Sequence, residues 1–144
     1  MLSMDFIKTE IRKHVFLIEL NRNEKMNAFT FQMLQELAQA FTLLEDNKEL
    51  RCGLLFSKGE HFSSGLDLVD VAAHIERGEV LVGEGLVDPM QLTGRKRSKP
   101  VVMAVQGHTL TIAVELILAN DICIAARNTK FGQIEVKRGI FPFG

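Results

Sequence analysis

The chain has 144 residues, of which 47% are hydrophobic and 24% charged, and its formal net charge is −1. These values are typical of one globular domain with a hydrophobic core and argue against a disordered chain. The balanced charge offers no basic field for nucleic acid, the apolar stretches are too short to span a bilayer, and no targeting segment is visible at the N-terminus. A cytoplasmic location is therefore predicted.

The first half of the chain alternates between strand and helix patterns. Residues 6–12 and 14–20 are predicted to form a partly buried hairpin, and the polar residues 21–25 a loop. A helix is expected to begin near Asn27 or Thr30. Apolar residues then recur at helical spacing, namely Phe31, Leu34, Leu37, Ala38, Phe41 and Leu44. The apolar run 52–56 is predicted to be a strand covered on both faces, followed by a turn at 57–60.

The second half continues the alternation. Helices are predicted over 66–75, with Asp67 near the start, over the less regular stretch 89–98, and over 111–119 after a tight turn at Gly107. Strands are predicted over 101–106 and, as a buried strand, over 122–126; a short link follows at 131–135, then irregular chain at Gly139 and Pro142. Strand–helix alternation of this kind predicts a layered α/β fold.

The cysteines give no sign of a metal site. Cys52 and Cys123 each lie in an apolar run and show no CxxC spacing, so both are predicted to be buried free thiols.

Two segments share one pattern: a buried strand, a glycine-containing turn and a helix start. They are residues 61–68 and 100–116. Amide N–H groups at a helix start have no partner within the helix and can hold a negative oxygen. For each segment taken alone, an ordinary strand-to-helix turn explains the sequence equally well.

Two glutamates stand out because apolar residues flank them. Glu115 lies in the first turns of an apolar helix, and burial there would suit it to proton transfer, unless it simply faces solvent. Glu135 follows a turn and could equally be a loop carboxylate paired with Lys137 or Arg138. Asp121 is predicted to have a structural role between the helix and the next strand.

The order of these segments resembles the crotonase (enoyl-CoA hydratase/isomerase) superfamily. The similarity covers nearly the whole chain: it starts at residues 20–28 and continues through 62–68, which matches the signature F-x-A-G-x-D-L. It then runs through residues 99–101 and 106–107 to Glu115, Asp121 and residues 131–135. The resemblance implies a crotonase-like spiral of ββα units within the α/β class.

The resemblance also implies an activity and a set of site residues. It points to an enoyl-CoA hydratase, which adds water to a 2-enoyl-CoA thioester and gives 3-hydroxyacyl-CoA. The backbone N–H groups of Ser64 and Ile112 would form the oxyanion hole, Glu115 would activate water, and Glu135 would deliver a proton to carbon. The acyl-CoA path would be lined by Lys25, Met26, Ala28, Ser64, Gly65, Leu66, Asp67 and Ile112. No metal and no separate cofactor is implied, since coenzyme A is part of the substrate.

The chain departs from the family pattern in two places. Thr111, Ile112 and Ala113 stand where family members usually have glycines, which restricts the backbone and puts the acyl-chain preference in question. Family members also continue past the position of Gly144 into a C-terminal helical region that builds a trimer. We therefore expect residues 1–144 to be a truncated core domain that is poorly stable alone or assembles with a partner. A homo-oligomer, trimer or hexamer, is expected for a full chain.

Several alternatives stay open. Isomerisation, dehalogenation or thioester hydrolysis are other reactions of the same superfamily, and the substituted glycines would also suit a non-catalytic acyl-CoA-binding subunit. Nucleic-acid binding would rest only on the basic cluster 95–99, which is more typical of a solvated helix face or of contact with CoA phosphates.

Overall fold

The computed structural model describes residues 4–139 and 141. The strands are β1 (Ile7–Arg12), β2 (Val15–Leu20), β3 (Cys52–Ser57), β4 (Val101–Val105), β5 (His108–Leu110), β6 (Ile122–Ala125) and β7 (Lys130–Gly132). The α-helices are α1 (Phe31–Asp46), α2 (Leu68–Glu76), α3 (Ile112–Ala119) and α4 (Glu135–Arg138), and a 3-10 turn covers Asn23–Lys25. Gly139 ends α4 in the left-handed region, whereas Pro142 lies outside the described residues.

The main sheet has the strand order β1-β2-β3-β4-β6. β1 and β2 form the predicted antiparallel hairpin, and the remaining neighbours pair in parallel. A second, small sheet consists of the parallel strands β5 and β7, and a bridge between Ser63 and Thr109 extends it. Each turn of the chain thus contributes one strand to the main sheet, a short strand or bridge beside it, and a helix, so the predicted α/β spiral of ββα units is confirmed.

Helix α1 covers one face of the main sheet. Thr30 caps it, because its hydroxyl accepts from the Met33 N–H at 3.1 Å. The predicted apolar stripe is buried from Leu34 to Leu44, while Phe31 is half-buried and stacks on His74 with ring centroids 4.1 Å apart. This packing joins α1 to the inward residues of the strands in one core.

Glu36 is the charged exception on the buried side of α1. Its carboxylate accepts from the N–H groups of Asp5, Phe6 and Ile7 at 3.1, 2.8 and 3.0 Å. A buried carboxylate that accepts three hydrogen bonds has its hydrogen-bonding capacity satisfied. Glu36 therefore fastens the start of β1 to α1.

The predicted helix over 89–98 is wrong. Asp88, 2% exposed, accepts instead from the N–H groups of Met90, Leu92 and Thr93 at 2.8–2.9 Å. Gln91 and Gly94 have φ values of 56° and 57°, which no α-helix contains. A side chain that captures successive amides competes directly with helix formation, so this stretch is an ordered loop organised around Asp88.

Three predictions of burial need correction. All four residues of β6 are exposed, because β6 pairs only with β4 and no described residue covers its faces. Cys123 on this strand is exposed and Cys52 only partly buried; both are free thiols. β3 alternates buried and half-buried residues, so α1 covers one face fully and the other face is partly open.

Within the described residues, no helix has the length and apolar character that a bilayer span requires. The cytoplasmic location stays a prediction from sequence.

Candidate active site

The loop after β2 is joined to the segment that precedes α2. The Ser64 N–H donates to the Met26 carbonyl at 2.9 Å, and the Phe29 N–H donates to the Gly65 carbonyl at 2.8 Å. The Asp67 N–H returns to the Phe29 carbonyl at 2.9 Å. The segments that carry the predicted substrate-binding residues at 25–28 and 64–67 therefore lie side by side.

Arg22 holds the same two segments together through its side chain. Its guanidinium donates to the Ala28 carbonyl at 2.8 Å and forms an ion pair with Asp67 at 3.1 Å. The Asp67 carboxylate is thus a structural partner of Arg22, whereas Lys25 and Met26 have exposed side chains.

Asn27 is a structural part of this loop that the sequence analysis considered only as a helix cap. It is fully buried, and its φ of 49° lies in the left-handed region. Its side chain accepts from the Arg22 N–H at 2.8 Å and donates to the Asn23 Oδ1 and the His61 carbonyl at 3.1 and 3.3 Å. Asparagine tolerates positive φ better than most residues, so the residue type at position 27 was the signal in the sequence for this conformation.

The Ser64 N–H, predicted to be an oxyanion donor, already has an acceptor within the chain. The Ser64 N–H is occupied by the Met26 carbonyl, and the Gly65 N–H donates to the Ser63 hydroxyl at 3.1 Å. The Leu66 N–H has no acceptor among residues 4–139. The free backbone donor of this segment is therefore Leu66.

The start of α3 supplies a second free donor. The N–H groups of Val114 and Glu115 both donate to the Thr111 carbonyl, at 2.8 and 3.2 Å. The Ile112 N–H, at the first position of the helix, finds no acceptor in the described part of the chain. The role of Ile112 as an oxyanion donor stays a prediction.

Gly65 and Thr111 bring the two donor segments into direct contact. A Cβ added to Gly65 would collide with the Thr111 Oγ1 and come within 3.2 and 3.3 Å of the Thr111 Cβ and Cγ2. Gly65 also has a φ of 105°, which a side chain would strain. Glycine is needed here so that the Leu66 and Ile112 segments can approach each other.

Thr111 adopts a backbone conformation that glycine normally takes. Its φ and ψ are 53° and −119°, and its own N–H donates to the Gly132 carbonyl at 2.8 Å. A β-branched residue at positive φ is an outlier. The backbone restriction expected from the lost glycines therefore falls on Thr111 and not on Ile112.

Glu115 is buried, with 7% of its surface exposed, so it does not face solvent. Its Oε1 accepts from the Gln133 Nε2 at 3.3 Å. Together with Ile112 and residues 80–94 it lines a cavity of about 680 Å³ whose wall is mainly apolar. A carboxylate at the edge of such a cavity can act on a bound apolar ligand.

Glu135 begins α4 and is half-buried. Its Oε2 is buried and has no hydrogen-bond partner in the described structure, and no ion pair with Lys137 or Arg138 forms there. It lines a small cavity of about 40 Å³ with Leu66, Thr111 and Arg138.

Glu115 and Glu135 thus line different cavities. Ile112 lines the cavity of Glu115, and the preceding residue, Thr111, lines the cavity of Glu135.

The basic cluster has partners within the chain. Arg95 pairs with Asp46, and Arg97, with a 7% exposed side chain, pairs with Asp121 at 2.7 Å. Lys99 donates to carbonyls at the end of α1. Cations at helix ends offset the helix dipole, so these contacts favour a structural role.

Asp121 has the structural role predicted for it. Its carboxylate accepts from the Val101 N–H at 2.8 Å and pairs with Arg97. The Val101 hydrogen bond, together with Arg97, holds the pKa of Asp121 below its usual value. Among residues 4–139 and 141, no three His, Cys, Asp or Glu side chains are grouped as metal ligands would be.

Taken together, the fold and the site define an α/β protein in which two free backbone donors lie beside two carboxylates. Comparison with known proteins agrees: residues 10–144 match the family model described as enoyl-CoA hydratase/isomerase. The chain belongs to the enoyl-CoA hydratase/isomerase family, as the sequence resemblance predicted.

Individual relatives bear different activities in their names. The chain is 30% identical over 139 residues to the enoyl-CoA hydratase EchA19 of Mycobacterium tuberculosis, covering 94% of this chain and 52% of that protein. It is 34% identical over 142 residues to the 1,2-epoxyphenylacetyl-CoA isomerase of Escherichia coli, covering 96% and 54%.

A solved structure shares the fold closely. The structure of a probable enoyl-CoA hydratase/isomerase from Mycobacterium abscessus matches with a TM-score of 0.91 and 43% identity, over 98% of this chain and 54% of that one. The chain therefore spans about half the length of the relatives it matches.

Proposed function

We propose that the chain works as an enoyl-CoA hydratase, adding water to a 2-enoyl-CoA thioester to give 3-hydroxyacyl-CoA. The proposal rests on two backbone N–H groups without acceptors, those of Leu66 and Ile112. They lie on two segments that touch through Gly65 and Thr111. A thioester oxygen gains negative charge as the enolate forms, and two preorganised N–H donors would stabilise it.

The carboxylates would handle the protons. In this proposal ionised Glu115 takes a proton from water while the water oxygen bonds to C3, and the C2=C3 electrons move onto the thioester oxygen. Protonated Glu135 then donates to C2, and the carbonyl re-forms. The burial of Glu115 supports its role in proton transfer, and its contact with Gln133, two residues before Glu135, brings the chain segments of the two carboxylates together.

The substrate path follows from the same surfaces. Exposed Lys25 and Met26, with the adjoining Ala28 and residues 64–67, would bind the coenzyme A and pantetheine portions. The cavity of about 680 Å³ beside Ile112 and Glu115 would take the acyl chain, since its lining is mainly apolar.

One observation favours a second candidate, double-bond isomerisation. Glu115 and Glu135 line different cavities, and only Glu135 lies in the cavity that Leu66 also lines. Moving a proton between two carbons needs one carboxylate, and the Escherichia coli relative is named as an isomerase.

The loss of enoyl absorbance of crotonyl-CoA on incubation with the purified chain tests the proposal. We expect Glu115→Gln and Glu135→Gln each to lower kcat by about 100-fold or more, the usual contribution of a general acid or base. Glu76→Gln, on an exposed carboxylate at the end of α2, is the matched control and should change little. Unchanged rates in both site variants would contradict the assignment. A double-bond shift without hydration, lost only in Glu135→Gln, would favour the isomerase.

We also propose that a full chain works as a homo-oligomer, a trimer or a hexamer. Light scattering of the purified full chain measures this directly, and a monomer at micromolar concentration would contradict it.

A further inference from the structure

The Thr111 hydroxyl is buried without a partner. Thr111 is 4% exposed, and its Oγ1 has no hydrogen-bond partner among the described residues. Buried polar groups in folded proteins are almost always hydrogen-bonded, so an exception calls for an explanation.

The same residue is also strained. Its φ of 53° places a β-branched side chain where glycine is usual. Unfavourable backbone geometry and an unpaired hydroxyl fall on one residue, which lies between the proposed donors Leu66 and Ile112. Strain observed at such a place is a reason to look for a function.

A second unpaired oxygen belongs to another residue that lines the same cavity as Thr111. Glu135 Oε2 is buried and without a partner in the described chain, and Glu135 and Thr111 line one cavity of about 40 Å³. A water molecule occupies roughly 30 Å³ in the liquid and needs two or more polar partners. The cavity therefore has the size and the polar groups for one water molecule.

We propose that Thr111 is a positioning residue whose hydroxyl, through one bound water molecule, orients the carboxyl group of Glu135. The inference rests on the proposed function, because Glu135 must be directed at the substrate α-carbon to deliver its proton. The water molecule accepts from the Thr111 hydroxyl and donates to the Glu135 carboxyl oxygen that does not carry the proton. Glycine at position 111 could not supply this contact.

Two substitutions of Thr111 separate the effect of its hydroxyl from the effect of its volume. Thr111→Val keeps the volume and the β-branch but removes the hydroxyl, and Thr111→Ser keeps the hydroxyl. Thr109→Val is the matched control, because Thr109 is 0% exposed and its Oγ1 is also unpaired, yet it does not line the cavity of Glu135.

Crotonyl-CoA hydration by the full chain gives the first readout. We expect Thr111→Val to lower kcat about tenfold with little change in KM, Thr111→Ser to keep most of the rate, and Thr109→Val to stay within about twofold of wild type; an orienting group lost from a general acid acts on the chemical step. Equal rates for Thr111→Val and wild type would overturn the inference and leave the proposed function standing.

A crystal structure at high resolution gives a readout that does not depend on activity. Density for one water molecule within hydrogen-bond distance of Thr111 Oγ1 and Glu135 Oε2, lost in Thr111→Val, is expected. Absence of that density in the wild type would overturn the inference even in an active enzyme. If the wild type does not turn over, the proposed function fails and the water density alone decides the inference.

Discussion

Replacing Gly65 by alanine should destabilise the protein strongly, because two costs combine at this position. The φ of 105° disfavours any side chain, at roughly 1–2 kcal/mol for an L-residue in the left-handed region. The new Cβ would also collide with Thr111, and overpacking of this kind costs about 1–3 kcal/mol. The sum is about 3 kcal/mol, or a fall in Tm of about 10 °C for a domain of this size.

Two further variants separate the costs. Gly78 has a φ of 75° with no atom within 4 Å of the added Cβ, so Gly78→Ala isolates the backbone term. All three atoms near the Gly65 Cβ belong to the Thr111 side chain, so Thr111→Gly should remove the collision. We expect a coupling energy of about 1–3 kcal/mol between Gly65→Ala and Thr111→Gly.

Urea unfolding followed by circular dichroism measures the free energy of unfolding of the wild type, of the three single variants and of the double variant Gly65→Ala/Thr111→Gly. The reasoning would be refuted if Gly65→Ala were as mild as Gly78→Ala, or if Thr111→Gly failed to restore stability to Gly65→Ala. Thr111→Gly alone should be neutral or stabilising by about 1 kcal/mol, since it removes a strained non-glycine residue.

Three carboxylates that accept backbone hydrogen bonds give further predictions. Asp88→Ala should lower the free energy of unfolding by about 2 kcal/mol, because three backbone N–H groups lose their buried acceptor. Amide hydrogen exchange should also become faster in the loop that Asp88 organises, and unchanged protection there would count against the loop assignment. Glu36→Ala should likewise cost about 2 kcal/mol and loosen the start of β1, measured by the same exchange experiment, with an unaltered exchange rate arguing otherwise. Asp121→Asn should cost about 1 kcal/mol at pH 7, a value kept small because the carboxylate is 46% exposed. Since the Val101 N–H and Arg97 lower the pKa of Asp121 in the folded state, its contribution to the free energy of unfolding is complete above a pH of about 4 and disappears as the pH falls further. A stability difference between wild type and Asp121→Asn that persisted at acid pH would contradict this.

The regular elements could be predicted because their apolar periodicity is local. The α1 stripe from Leu34 to Leu44 lies on the buried side that its spacing indicates, and β1 and β2 form the predicted hairpin. The short strands β5 and β7 were not foreseen, since strands of three residues carry too little pattern and form only by pairing with each other. The exposure of β6 likewise depends on what packs over it, which composition does not reveal.

The candidate site shows the same division. The residue types and their order pointed to the segments around residue 65 and residue 112, but not to which amide stays free. That depends on the contact between the Ser64 N–H and the Met26 carbonyl, a pairing over many residues of chain. The strain at Thr111 and the separate cavities of Glu115 and Glu135 also arise only when β5 and β7 come together.

The central claim is that this site adds water to an enoyl thioester, and incubation of the purified chain with crotonyl-CoA in water labelled with oxygen-18 tests it most directly. We predict a 3-hydroxyacyl-CoA product that carries one labelled oxygen on C3, formed by the wild type and not by Glu115→Gln. Recovery of crotonyl-CoA unchanged, of an isomer without added oxygen, or of a free acid labelled in its carboxylate would contradict the account.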